Sequence, residues 1–217
     1  RHERPRRGLL TRPSLEEVLR FREHVDESMT DWLAHGQPAR EVLELVELGL
    51  QHEQQHQELL LMDIKHLFSC NPLKPAYADD EADIADPVTV GESGFREHPG
   101  GIYEIGHAGT EFAFDNEGPR HRVYLEPFAI AARLVTNGEY REFIRDGGYR
   151  RAELWLSDGW ATVQTNQWSR PLYWDESLEA EFTLAGIQPL QPDAPVAHVS
   201  YYEADAFARW AQMRLPT

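Results

Sequence analysis

The 217-residue sequence predicts an α+β protein: a helical N-terminal part followed by a C-terminal domain of few regular strands. Three observations carry this expectation. Apolar residues recur at helical spacing from Leu15 to Leu33 and again from Val42 to Phe68. A proline-rich, acidic stretch without apolar period then separates the two parts. Beyond Pro87 glycine, aromatic and β-branched residues rise, and helical periodicity becomes intermittent.

The first twelve residues are basic and loop-like, with Arg1, Arg4, Arg6, Arg7 and Arg12. Guanidinium forks pair bidentately with carboxylates, so this arm can bind acids; the alternative is a solvated terminus. Ser14 with Glu17 three residues on forms a capping box. The helix it opens carries a core-like stripe through Leu15, Val18, Leu19, Phe21, Val25, Met29, Trp32 and Leu33. Gly36 and Pro38 break it, and a second, longer helix follows to about Cys70. Cys70 reads as a helix-end residue. Residues 1–71 are expected to form a helical domain, residues 72–87 a linker, and residues 88–217 the second domain.

In that second domain, residues 100–106 and 122–130 read as short strands, the latter a pair around Pro127, and residues 196–199 as another. Thr136 with Glu139 and Ser200 with Glu203 are capping boxes, opening helices toward Arg145 and Met213. Between them, residues 149–195 are expected to be irregular, with scattered tryptophans. Asp115, Asn116, Glu117 and His121 resemble a metal cluster in type, but a turn with side-chain-to-backbone bonds is the expected form.

The net charge of −16, from 21 Lys and Arg against 37 Asp and Glu, makes nucleic acid and anionic membrane poor partners. No apolar run reaches the length of a membrane span, and no signal-peptide core opens the chain. One cysteine excludes an internal disulfide framework. A cytoplasmic protein is the expectation. The chain opens on Arg1 without an initiator methionine and closes on Arg-Leu-Pro-Thr, and it is expected to be a fragment.

The candidate chemistry lies in the second helix, at His52 and His56. Residues four apart on a helix lie roughly 40° apart around its axis, on successive turns. Leu45, Gly49, Leu60 and Ile64 continue the same stripe, so both imidazoles are expected to point inward and to grip one metal ion. The alternative is two ordinary histidines on an amphipathic helix. His52-Glu53-Gln54-Gln55-His56 also spells the zinc-protease pattern H-E-x-x-H, with Glu53 as base. The glycine and third histidine of the extended pattern are Leu59 and Met62 here. Glu81 falls in the acidic stretch, and His66 lies roughly 21 Å along the helix from His52. Further ligands must come from another segment, and for Glu53 a hydrogen bond or a solvated face is the expectation.

The stretches HEQQHQELLLMDIKH, PSLEEVLRFREHVDESM, FDNEGPRHRVYLEPFAIAARLVTNGEYREFI and PVAHVSYYEADAFARW resemble the sulfoxide synthases of ergothioneine biosynthesis, the hercynine oxygenases. These proteins join a DinB-like helical bundle to a domain with the C-type-lectin-like fold of formylglycine-generating enzyme. The resemblance implies that His52 and His56 bind a non-haem Fe(II), with a third histidine upstream of Arg1. It implies that Gln55 positions the substrate imidazole and that Arg4 and Arg7 hold the thiol substrate's carboxylates. A tyrosine beyond Thr217 would donate the proton. The implied reaction joins hercynine to γ-glutamylcysteine or cysteine with O2, forming a C–S bond and a sulfoxide. Related synthases use histidine or a selenium donor, and a non-catalytic lectin-like module is the alternative of another class.

Overall fold

The computed structural model describes residues 11–78 and 94–216. Arg4 and Arg7 and the acidic residues 79–93 lie outside the described residues. The architecture is α+β, as expected, and the chain divides into two compact units, Arg1–His56 and Gln57–Thr217.

In the first unit, α1 spans Leu15–His35. Its capping box forms as the sequence predicts: Ser14 Oγ accepts the Glu17 N–H, and the Glu17 carboxylate accepts the Ser14 N–H at 2.8 Å. Gly36 ends the helix by donating its N–H to the Trp32 carbonyl at 2.7 Å. A Cβ at this position would strike the Trp32 indole, so the close approach requires glycine. The second helix, α2, spans Arg40–Cys70. The stripe expected to be core does not bury: neither helix holds a buried residue, and Leu15, Leu19 and Phe21 are exposed. An amphipathic face is buried only when another surface covers it, and along these stripes Trp32, Val46, Ile64 and Phe68 are no more than partly buried.

Among the described residues, the second unit contains the last turns of α2 and three two-stranded antiparallel sheets. Strand β1 (Phe95–His98) pairs with β4 (Phe128–Ala131), and β2 (Gly101–Ile105) pairs with β3 (His121–Leu125). Strands β5 (Ala180–Thr183) and β6 (Gly186–Pro189) form a hairpin. The chain breaks between β3 and β4 at Glu126-Pro127, where proline removes a ladder donor.

The core is aromatic and lies between α3 (Asn137–Arg145) and α5 (Tyr201–Trp210). Tyr140 and Phe143 of α3 are almost fully buried, and Phe207 of α5 stacks on Tyr140 with ring centroids 5.4 Å apart. The 3-10 turn Gly148–Arg150 passes so close to the Phe143 ring that a Cβ on Gly148 would fall inside it. Trp155 closes this side, donating its indole N–H to the Gly148 carbonyl at 2.9 Å.

Both C-terminal capping boxes form, at Thr136 with Glu139 and Ser200 with Glu203. Two expectations fail. Residues 196–199 are not a strand: His198 takes φ 59°, which ends an extended run after one isolated bridge at Pro195. Residues 149–195 are not irregular throughout, since they hold α4 (Ser157–Asn166) and the β5–β6 hairpin. In α4 Gly159 lies directly beneath Tyr202, and Val163 faces the core. That contact, made with a distant segment, stabilises a helix that its short local pattern does not announce.

Candidate functional site

α2 presents His52 and His56 one turn apart, with their Nε2 atoms 3.0 Å from each other. The ring centroids are 4.6 Å apart and the planes cross at 70°. Both side chains are exposed, so the inward orientation expected for them is not observed among the described residues. Their convergence does not depend on burial. It follows from the i, i+4 spacing and from rotamers that lean each ring toward the other.

Two imidazole nitrogens at about 2.1 Å from one divalent ion and at right angles to each other stand about 3.0 Å apart. The observed separation therefore suits two neighbouring ligands of one ion. Each ring would carry its proton on Nδ1 and turn the bare Nε2 to the metal. Without a metal, the same distance is a hydrogen bond in which one Nε2–H donates to the other. Among the described residues no group of three His, Cys, Asp or Glu side chains forms a metal-binding cluster.

Gln55 is exposed on the same helix. Helical rotation places it about 60° from His52 and about 100° from His56. Glu53, also exposed, lies on the opposite flank, about 60° from His56. The two neighbours of the pair therefore face different directions.

The acidic segment before β3 is a turn, as expected, with its side-chain-to-backbone bond made by Glu117. Residues Asp115–Glu117 make one 3-10 turn, and the Glu117 carboxylate accepts the Phe114 N–H at 2.7 Å. His121 Nδ1 bonds the Pro119 carbonyl at 2.9 Å. The Glu117 and His121 side chains are thus engaged by the backbone. Cys70 is the last residue of α2, as expected, and is exposed.

Sequence reasoning did not find a second polar cluster, which lies wholly in the second unit. Lys65 and His66 near the end of α2 meet Tyr173 and His198 from two separate loops. Tyr173 and His198 also line a cavity of about 510 Å3, together with Trp168, Arg170, Trp174 and Glu203. The signal available in the sequence was the Lys65-His66 pair, whose partners are more than a hundred residues away.

A model of the sulfatase-modifying factor enzyme 1-like domain matches residues 94–217. The chain belongs to this family. Its sequence is also similar to hercynine oxygenases, in keeping with the motifs above. The hercynine oxygenase of Mycolicibacterium thermoresistibile is 37% identical over 167 residues, covering 76% of this chain and 36% of the relative. That of Mycobacterium tuberculosis is 40% identical over 105 residues, covering 48% of this chain and 25% of the relative. The formylglycine-generating enzyme of Streptomyces coelicolor is 32% identical over 167 residues, covering 66% and 49%. The chain thus spans well under two thirds of these relatives. Among the described residues no helix is long and apolar enough to cross a membrane.

Proposed function

We propose that this chain is part of a cytoplasmic, non-haem iron(II) sulfoxide synthase. Its reaction would join hercynine to γ-glutamylcysteine or cysteine with O2 in ergothioneine biosynthesis. The observation that carries the reading is the convergence of His52 and His56, on a chain whose relatives are named hercynine oxygenase.

His52 and His56 would hold the iron through Nε2, with a third histidine supplied from outside the described residues. Iron(II), when bound with open positions, supplies sites for the substrates and O2 and the redox chemistry between them. Gln55, on the flank of His52, would hydrogen-bond the substrate imidazole through its amide and fix which ring carbon faces the thiol. Arg4 and Arg7 would hold the carboxylates of the thiol substrate, since planar guanidinium groups match them bidentately. Such positioning turns the encounter of two substrates into a reaction between groups already in place.

The test is anaerobic reconstitution of the full-length protein with Fe(II), followed by O2-consumption assays. Imidazole substrates (hercynine, histidine) are paired with γ-glutamylcysteine, cysteine and a selenol. Sulfoxide formation with hercynine and one thiol is the expected result. Iron uptake without O2 consumption for any pair would favour a binding module.

A further inference from the structure

Lys65 belongs to the last turns of α2, and its Nζ lies 2.7 Å from His198 Nε2. The same ammonium sits over the Tyr173 ring, 4.7 Å from the centroid, and the Tyr173 and His198 rings meet edge to face at 4.8 Å. The two loops that supply these rings are tied to each other where the Leu172 N–H donates to the His198 carbonyl at 3.2 Å. Beside them, His66 Nδ1 is 3.3 Å from the Tyr173 hydroxyl. Tyr173 and His198 both occupy the left-handed backbone region, at φ 75° and 59°. Non-glycine residues stay in that region only where their surroundings hold them.

We propose that Lys65 and His198 form an acid-released clamp, holding the end of α2 to the loops around Tyr173 and His198. The chemistry follows from the donor inventory. A lysine ammonium has three donors and no acceptor, so His198 must present a bare Nε2 to it and be neutral. Protonation of His198 removes the acceptor and sets two cations against each other.

The groups facing this pair offer little compensation. Glu181 on β5 is the carboxylate that interacts with Lys65. The others are the Tyr173 phenol, His66 and, beyond His66, the Cys70 thiol at 3.7 Å. In the adjoining cavity Arg170 is bonded to the Trp174 carbonyl, and Glu203 to the Ser200 N–H and the Tyr149 hydroxyl. Partial burial and then the Lys65 charge hold His198 below the ordinary histidine value of 6.5, although the residue as a whole remains exposed. Partial burial also lowers the Lys65 ammonium and raises the Glu181 carboxyl.

The sign is fixed by these directions. A histidine whose folded pKa is depressed contributes stability that is complete above 6.5 and is lost as pH falls through the folded value. The clamp is therefore closed at neutral pH and opens in acid.

NMR of the full-length protein tests this with two readouts, the His198 imidazole titration and exchange of the Leu172, Tyr77 and Ala78 amides. The last two amides bond the Leu184 carbonyl just beyond the end of α2. After correction for intrinsic rates, protection should fall by up to about tenfold per pH unit between 6.5 and the His198 midpoint and level off below it. Lys65→Met, which keeps the apolar stem, should raise the His198 midpoint and weaken the pH dependence, leaving the part that burial imposes. His198→Gln, which keeps an acceptor, should hold protection constant through the acid range. Flat wild-type protection from neutral pH to pH 5, or a His198 midpoint that Lys65→Met leaves in place, would overturn the proposal.

Discussion

His52 and His56 turn their Nε2 atoms to within 3.0 Å of each other from successive turns of α2. Apart from i, i+3, other spacings in sequence would separate the rings around or along the helix, so the convergence belongs to the spacing of one turn. It is a local property of the helix and does not rest on the surrounding packing.

In the buried network of the second unit, Tyr149 donates its hydroxyl to Glu203 Oε1 at 2.5 Å while standing 3.2 Å from the Tyr140 hydroxyl. Burial pushes both phenols well above their ordinary value, so both stay protonated and able to donate. Glu203 is itself buried, with Oε2 accepting the Ser200 N–H. Tyr149→Phe leaves Glu203 Oε1 without this donor and is expected to cost about 1–3 kcal/mol. Urea denaturation at neutral pH measures it.

Gly148 is held against the Phe143 ring, where a Cβ has no room. Gly148→Ala must push apart the 3-10 turn and the aromatic core, at a cost of about 1–3 kcal/mol. A lowered Tm with unchanged far-UV circular dichroism is the expected outcome.

How much of this was legible in the sequence depended on the range of the contacts. The capping boxes at Ser14, Thr136 and Ser200 were read correctly because each closes within four residues. The His52–His56 pair was found for the same reason. Helix α4 was missed because its burial comes from Tyr202 above Gly159, a contact that no local pattern announces. The 196–199 segment looked like a strand from Val196 and Val199, yet His198 takes a positive φ in a loop whose side-chain contacts, with Lys65 and Tyr173, are distant in sequence. The stripes of α1 and α2 showed amphipathicity but not what covers them.

Arg133 grips Glu139 with two bonds, Nη1 to Oε2 at 2.8 Å and Nη2 to Oε1 at 2.7 Å, and Glu139 also caps the Thr136 N–H. The Arg133 hydrogen bonds, above all, hold this carboxyl below its ordinary 4.5. Because the folded value is depressed, the stabilisation is complete above 4.5 and is lost as pH falls through the folded value. Solvent reaches 43% of the Glu139 side chain, which keeps the contribution to about 0.5–1 kcal/mol. Glu139→Gln should lose that amount at pH 7 and flatten the acid limb of the stability curve, as denaturation across pH 3 to 7 will record.

The basic arm is tested by kinetics. Arg4→Ala and Arg7→Ala are expected to raise KM for the thiol substrate more than KM for the imidazole substrate. Equal effects on both would reject the arm as a carboxylate holder.

The central claim is that His52 and His56 hold the iron. Metal content and sulfoxide formation should be measured on the full-length protein and on its His52→Ala and His56→Ala variants, each reconstituted anaerobically with Fe(II). Loss of stoichiometric iron and of O2-dependent C–S bond formation in both variants, with circular dichroism unchanged, is the predicted result. Stoichiometric iron retained by both variants would contradict it.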